Sequence, residues 1–239
     1  MASLETAVVT DAGVIDSSEN EEDEDFFDLE EEFEEASSKE VFDPLSGYNR
    51  IMTSVNDKFY FWLLKPVANG YKKVVPLSAR RSVTRFFNNL LFPLRFVNNV
   101  LQLKFKRAGI ELTRFGVNTT VGILGLGDPA KNWFNLEAYP EDFGQTLGHY
   151  GLGGGFHIVL PLLGPSNLRD VVGLVPDYFM DPVSYIKKAE EELAVKSFNI
   201  LNEASHHIGE YESIKKDALD LYPFLRDAYE QNRKKKVRE

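Results

Sequence analysis

The residue types that most often carry catalysis or bind metals form no recognised constellation in this sequence. Its four histidines (His149, His157, His206 and His207) lack the HExxH spacing of a zinc site. Ser166 lies in GPSNL, which departs from the GxSxG motif of a nucleophilic serine, and GLGGG at 151–155 departs from the GxGxxG of a dinucleotide loop. There is no Walker A motif and no cysteine. We therefore expect structural histidines, no catalytic set, no metal site, no cofactor and no enzymatic activity.

One stretch rich in basic and aromatic residues indicates binding rather than catalysis. From Lys65 to Gly127 eleven basic residues are opposed by one acid, Glu111, and six phenylalanines are interleaved with them. Helices with one basic and one apolar face lie in membrane interfaces, where their cations meet anionic lipid. The stretch predicts headgroup contacts by Arg80, Arg81, Arg85, Arg95, Lys104, Lys106, Arg107 and Arg114. The alternative is an ordinary amphipathic helix with its Phe face packed inward; no nucleic-acid-binding motif is present, and we predict no such partner.

A second unusual segment lies between Asp142 and Arg169, where 26 residues contain no Asp, Glu, Lys or Arg. Seven glycines and two prolines interrupt it. Glycine costs a helix interior roughly 1 kcal/mol and proline about 3 kcal/mol, and a spanning helix needs about 20 mostly apolar residues. The segment is therefore not a plain transmembrane helix, and we expect it to be buried or to meet something apolar.

The elements that must position these segments are short helices. Asp-Pro steps at 43–44, 128–129 and 181–182 are typical helix starts, because Asp caps the free amides and Pro suits the first turn. Apolar periodicity and these breaks predict an all-α chain, with one candidate strand at 156–163. The predicted helices are 44–64, 66–75, 77–90, 93–103, 105–120, 129–134, 166–179, 182–206 and 210–231.

Charge is divided unevenly along the chain. Residues 1–40 contain 16 acids and one base, so residues 41–239 carry a net charge of +5 although the whole chain carries −10. Acidic runs with few apolar anchors do not bury enough surface to fold. We predict an acidic tether at 1–41, a single helical domain at 42–232 and a basic C-terminal tail at 233–239. The alternative for the acidic stretch is a docking tail with contacts from Phe26, Phe27, Leu29 and Phe33.

Several long motifs in this order resemble the MlaA/VacJ family of Gram-negative outer-membrane lipoproteins. The resemblance covers residues 42–190. It rests on DPLSGYNRIM (43–52), KPV (65–67), PLRFVNNVLQ (93–102), RFGVNTTVGILGLGDPA (114–130), EDFGQTLGHYGLGGG (141–155) and LPLLGPSNLRD (160–170).

The resemblance implies a ring-like assembly of many short amphipathic helices around an amphipathic channel, with a Gly-rich hairpin or loop segment. Such proteins lie near the periplasmic leaflet of the outer membrane and remove mislocalised phospholipid from the outer leaflet. They pass it to a periplasmic lipid-carrier protein and so maintain lipid asymmetry; relatives also bind trimeric porins. On this basis we predict a channel element composed of Gly144, Leu147, Gly148, Tyr150, Leu152, Gly153, Gly154, Gly155 and Phe156.

One departure from the family concerns the membrane anchor. Relatives carry an export signal and a lipidated cysteine, and this sequence has neither. We expect it to represent the mature part without its anchor, with the acidic stretch as tether. Two rival hypotheses remain open: a soluble periplasmic carrier that encloses a lipid, and a structural adaptor that transfers none.

Overall fold

The computed structural model describes residues 41–239, and most of them are helical. The all-α prediction is confirmed, with one small two-stranded hairpin added. The predicted acidic tether and its docking alternative fall on residues 1–40, outside the described residues.

The elements follow one another closely along the chain. A π-helical turn (Tyr60–Leu64) joins the first two helices, and a 3-10 turn (Pro182–Tyr185) follows the eighth. Strands β1 (His157–Leu160) and β2 (Gly164–Asn167) pair antiparallel, with His157 opposite Asn167. The α-helices are α1 (Ser46–Phe59), α2 (Lys65–Val74), α3 (Leu77–Leu90), α4 (Phe92–Leu101), α5 (Phe105–Thr120), α6 (Pro129–Phe134), α7 (Phe143–His149), α8 (Leu168–Met180), α9 (Ala189–Ala204), α10 (Glu210–Asp217) and α11 (Leu221–Arg238).

Two of the three Asp-Pro steps start helical turns as predicted. Asp128 accepts a hydrogen bond from the Lys131 amide at the start of α6, and Asp181 accepts one from the Val183 amide. At the third step the helix begins two residues later, at Ser46, because the Asp43 carboxylate has other partners. It accepts hydrogen bonds from Asn49 and from the Tyr222 hydroxyl of α11.

The structure differs from several predicted elements. The helix predicted at 210–231 is two helices, α10 and α11, separated by residues 218–220. The glycine-rich segment contains a short helix, α7, and its strand pairs with a second one across a turn. The helix predicted at 182–206 is divided by extended backbone at Lys188 into a 3-10 turn and α9. The residues predicted as a basic C-terminal tail, 233–239, include the last turns of α11, and Arg233 pairs with carboxylates on other elements.

The core of the described chain is largely polar. Its largest fully buried side chains are His157, Glu111, Val159, Asn49, Asn98, Asn99, Asn167, Asn202 and Ser205, of which only Val159 is apolar. Large apolar side chains lie instead on the surface: Trp62, Trp133, Leu162 and Phe179 are all more than half exposed. This is the reverse of a water-soluble domain, in which apolar residues are inside.

No helix within residues 41–239 combines the length and the apolar character needed to cross a bilayer.

Candidate functional site

The predicted channel element forms one continuous stretch, but its parts differ in exposure. Gly144, Leu147 and Gly148 lie in α7, where Gly144 is buried. Tyr150 and Leu152 follow in an exposed loop, with 62% and 55% of their surface accessible. The remaining members, Gly153, Gly154, Gly155 and Phe156, lead from this loop into β1.

Glycines set the distance between α7 and α8. A methyl group on Gly173 of α8 would lie 2.6 Å from the Gly144 backbone nitrogen, and one on Gly144 would lie 2.3 Å from Oδ1 of Asp170. A methyl group on Gly148 would meet Arg169 and Val237 at 2.8 Å. Small residues are what allow two helix backbones to approach this closely. Gly144 and Gly148 therefore act as spacers in a packed crossing.

Arg233 of α11 ties this crossing together. Its guanidinium donates to Asp142, the N-cap of α7, at 2.7 Å and 2.5 Å, and to Asp170 of α8 at 2.6 Å and 3.0 Å. The Tyr229 hydroxyl donates to Asp170 at 2.7 Å. A planar guanidinium suits two such carboxylates, because its five donors form a fixed fork. One side chain therefore fixes three helices in register.

The pKa values of two carboxyl groups of α8, Asp170 and Asp177, are shifted in opposite directions. Burial alone would raise the pKa of Asp170, but hydrogen bonds from Arg233, Tyr229 and Arg169 outweigh it and hold that pKa below its ordinary value. Burial raises the pKa of Asp177 to about 6, although the Phe143 amide donates to its carboxylate. The α7–α8 crossing is therefore ionised at Asp170, whereas Asp177, about two helical turns further along α8, is more readily protonated.

The loop after α7 is hydrogen-bonded to Arg169 of α8. Arg169 donates from its backbone amide to the Gly154 carbonyl at 3.1 Å and from its side chain to the Leu152 carbonyl at 3.3 Å. Between Gly153, Gly154 and α11 lies a polar cavity of about 250 Å³, lined also by Arg169, Glu230 and Lys234. A polar space therefore lies directly behind a loop whose tip is apolar.

A second buried polar group joins α7 to α4. The Thr146 hydroxyl donates to Asn98 at 2.7 Å, and Gln102 donates both to Thr146 at 3.2 Å and to Glu141 at 3.0 Å. Lys104 makes a salt bridge to the same carboxylate at 2.9 Å. Buried polar groups are stable only when they are bonded in this way. Thr146, Asn98, Gln102, Glu141 and Lys104 thus form one hydrogen-bonded group beside the glycine-rich segment.

His149 and His157, which flank the glycine cluster, do not pair. His157 is fully buried and contacts Glu230 at 3.0 Å through Nδ1, while His149 packs edge-on against the Tyr150 ring. The Asn49 side chain of α1 donates to the His157 carbonyl and accepts from the Val159 amide. It therefore bonds α1 to the backbone of β1. His157 is therefore held inside the fold by Glu230 and Asn49.

Five of the eight basic residues predicted to contact headgroups are bonded to partners within the fold. Arg80 is buried and donates to Ser205 at 2.8 Å and 2.9 Å. Arg95 pairs with Glu111 and Arg114 with Asp128. Lys104 and Arg107 share Glu141. The exposed members, with no carboxylate partner in the described chain, are Arg81, Arg85 and Lys106.

Sequence reasoning missed Arg233, Asp142 and the buried asparagines. One signal was available: Asp142-Phe-Gly-Gln145 has the spacing of an N-terminal cap, and Asp142 does accept from the Gln145 amide at 2.8 Å. Another was the Asn98-Asn99 doublet within the largely apolar α4, since asparagine is a poor helix former. Nothing local marked Arg233, because its partners lie 63 and 91 residues away.

The external face of α8 completes the site. Leu168, Val172, Val175 and Phe179 recur on one face of the helix and are between 42% and 64% exposed. The opposite face carries the buried Arg169, Asp170 and Gly173. This helix is amphipathic. Its apolar face is exposed, and its polar face forms ion pairs inside the fold.

Known proteins resemble this chain in sequence and in fold. A family described as MlaA lipoprotein matches residues 41–236. An uncharacterised protein of Rickettsia bellii is 34% identical over 200 residues, 83% of this chain and 78% of its own length. The Escherichia coli intermembrane phospholipid transport system lipoprotein MlaA is 32% identical over 191 residues, 78% of this chain and 75% of its own.

A solved structure described as "Structural basis for maintenance of bacterial outer membrane lipid asymmetry" superposes with a TM-score of 0.72 at 30% identity. It covers 82% of this chain and 98% of that chain. The family match spans far more than half of the sequence, and the inverted core and glycine-spaced crossing lie within it. The chain therefore belongs to the MlaA lipoprotein family.

Proposed function

We propose that this protein sits in the outer membrane with its apolar surface in lipid and its polar interior shielded from it. The observation that carries the proposal is the inversion of the fold: fully buried Asn, Glu and His side chains inside, and exposed Leu, Val, Phe and Trp outside. In water an exposed apolar surface of this kind is costly, whereas in a bilayer it is the favourable arrangement. Residues 41–239 contain no spanning helix, so immersion would occur through short helices and loops.

The transport role follows from the named relatives and from the site. The protein removes mislocalised phospholipid from the outer leaflet through an amphipathic channel and so maintains lipid asymmetry. A phospholipid needs a polar path for its head while its tails stay in hydrocarbon. The loop at 150–156 has an apolar tip beside the polar cavity of about 250 Å³, which supports a place on the channel wall. The helices would form a ring around that channel.

The same proposal assigns location and partners. The protein lies at the periplasmic leaflet and hands its lipid to a periplasmic carrier protein, with a trimeric porin as candidate neighbour. It acts without catalysis. The cavity beside the loop gives the rival soluble carrier little support, because about 250 Å³ cannot enclose two acyl chains. No contact in the described chain favours a structural adaptor.

The two tryptophans provide a direct test of membrane insertion. Trp62 and Trp133 are 79% and 69% exposed, and each can be observed alone in a Trp133→Phe or Trp62→Phe variant. In vesicles containing brominated phospholipid, we expect the fluorescence of both to be quenched, because Trp prefers the membrane interface. Soluble acrylamide should quench both less in vesicles than in detergent-free buffer. Bromine-independent fluorescence from both positions would contradict the proposal.

Leu152→Asp tests the channel assignment. A carboxylate at this exposed loop position should impair the clearance of outer-leaflet phospholipid, because it places a charge where acyl chains pass. The measurement is surface labelling of amine headgroups in cells that rely on this protein. The matched control is Leu219→Asp, a fully exposed leucine between Asp217 and Asp220. Normal clearance by a folded Leu152→Asp protein would exclude this loop from the lipid path.

A further inference from the structure

We propose that a cavity between α3, α4 and α5 binds the phosphate group of a phospholipid headgroup. The cavity measures about 210 Å³, and its lining includes three arginines, one carboxylate and two asparagines: Arg85, Arg95, Arg114, Asp128, Asn89 and Asn118. It is separate from the glycine-rich segment. The inference rests on the proposed membrane location and adds to it the chemical group recognised.

Charge around the cavity is not balanced. Arg95 pairs with Glu111 at 2.7 Å and Arg114 with Asp128 at 3.0 Å, so two of the three guanidiniums are neutralised. Within residues 41–239, Arg85 has no carboxylate at salt-bridge distance and its side chain is exposed. One positive charge therefore remains at the mouth, which matches the single negative charge of a phosphodiester.

Arg114, which lines the cavity, also has a hydrogen-bond donor without a partner among residues 41–239. Arg114 is 9% exposed, and its Nε is buried without a partner in the described chain. A buried donor without a partner is energetically costly, so such groups usually bond to a ligand or to water. Arginine presents its donors as a planar fork that fits phosphate oxygens. Together, Arg114 inside and Arg85 at the mouth offer the oxyanion two arginines.

The surroundings favour a lipid over free phosphate as the source of that group. The loop after α5 approaches so closely that a methyl group on Gly125 would lie 2.4 Å from Cβ of Asn89, which lines the cavity. The loop exposes four apolar side chains (Val121, Ile123, Leu124 and Leu126).

The loop is also held in an unusual conformation. Ile123 and Leu124 have φ of 54° and 58°, a region that branched residues rarely adopt. Backbone strain of this kind persists where the surrounding structure enforces it, and it clusters at ligand clamps. An apolar, enforced loop next to a cationic cavity suits a headgroup with its acyl chains alongside.

The test is titration of the detergent-solubilised full chain with dihexanoyl-phosphatidylglycerol, followed calorimetrically and by the arginine Nε–H signals in NMR. We expect Arg85→Gln to weaken binding about tenfold, because it removes a charge-assisted contact. Lys73→Gln is the control, since Lys73 is an exposed base of α2 that does not line the cavity. It should leave the affinity unchanged. Equal losses in both variants would overturn the site.

Two further ligands distinguish the source of the phosphate. Dihexanoylglycerol, which lacks phosphate, should not shift the Arg114 signal, and inorganic phosphate should bind more weakly than the lipid. Inorganic phosphate binding as tightly as the lipid would overturn the lipid assignment. Brominated-lipid quenching of Trp62 and Trp133 separates this inference from the membrane proposal. Quenching that persists without phosphatidylglycerol binding would overturn the cavity alone.

Discussion

Replacement of Arg233 by methionine is expected to lower the free energy of unfolding by about 3–5 kcal/mol, since it leaves buried carboxylates without their partner. Arg233 is bonded to both Asp142 and Asp170, and side-chain exposure at Arg233 and Asp170 is only 12% and 6%. For a domain of this size the corresponding fall in Tm is about 10 °C. Circular dichroism melts in detergent would measure it. Lys234→Met, at an exposed neighbour on the same helix, should change stability by no more than about 0.5 kcal/mol.

The pH dependence makes this prediction more specific. In the native protein the pKa of Asp170 is depressed, so its stabilising contribution is present above the ordinary pKa of about 4 and is lost as pH falls through the depressed value. Without Arg233, burial would instead raise that pKa. The deficit of Arg233→Met should therefore be largest near pH 7 and shrink towards pH 4. A deficit independent of pH would mean that lost packing, and not the ion pair, stabilises the crossing.

If Arg233→Met fails to fold, Asp142→Asn is the milder substitution. It leaves Asp170 and Tyr229 in place and removes only the α7 end of the bridge. We expect a smaller loss of stability, because the Arg233–Asp170 pair remains. Wild-type stability in this variant would contradict the role of Arg233 as the link between α7 and α11.

Local sequence signals predicted the elements whose stability is local. The predicted bounds of α3 at 77–90, of α5 at 105–120 and of α6 at 129–134 coincide with the observed ones. At α6 the reason is visible, because Asp128 caps the helix and Pro129 fixes its first turn. Such contacts span a few residues, so they can be recognised without knowing the rest of the fold.

The structure of the glycine-rich segment could not be predicted from local sequence signals. Gly144 and Gly148 argued against a helix, since their propensity is poor, yet α7 forms because α8 and α11 pack directly on its backbone. Tertiary contact here overrides local preference. The same holds for the arginines: a basic stretch indicates a cationic surface, whereas Arg80 and Arg114 are directed inward by partners distant in sequence, Ser205 and Asp128.

The inverted core connects the fold to the proposed transport. An interior built from asparagine and ion pairs gains little from apolar burial in water, so its hydrogen bonds and close helix crossings must hold it together. In hydrocarbon the same bonds are stronger, because no water competes for the buried groups. A protein organised in this way is therefore expected to be more resistant to unfolding in lipid than in dilute detergent.

Gly173→Ala should destabilise the protein by about 2 kcal/mol, because the added methyl would lie 2.6 Å and 3.0 Å from backbone atoms of Gly144. Backbone atoms of two crossing helices cannot rotate away as a side chain can, so the helices must separate and lengthen the Arg233 bridge. Gly116→Ala in α5 is the matched control: it is a helical glycine with nothing within 4 Å, and alanine there should stabilise by about 0.5–1 kcal/mol. Opposite signs in the two melts are the expected result. Stabilisation by both alanines would show that the α7–α8 crossing tolerates a side chain, and that Gly144 does not act as a spacer.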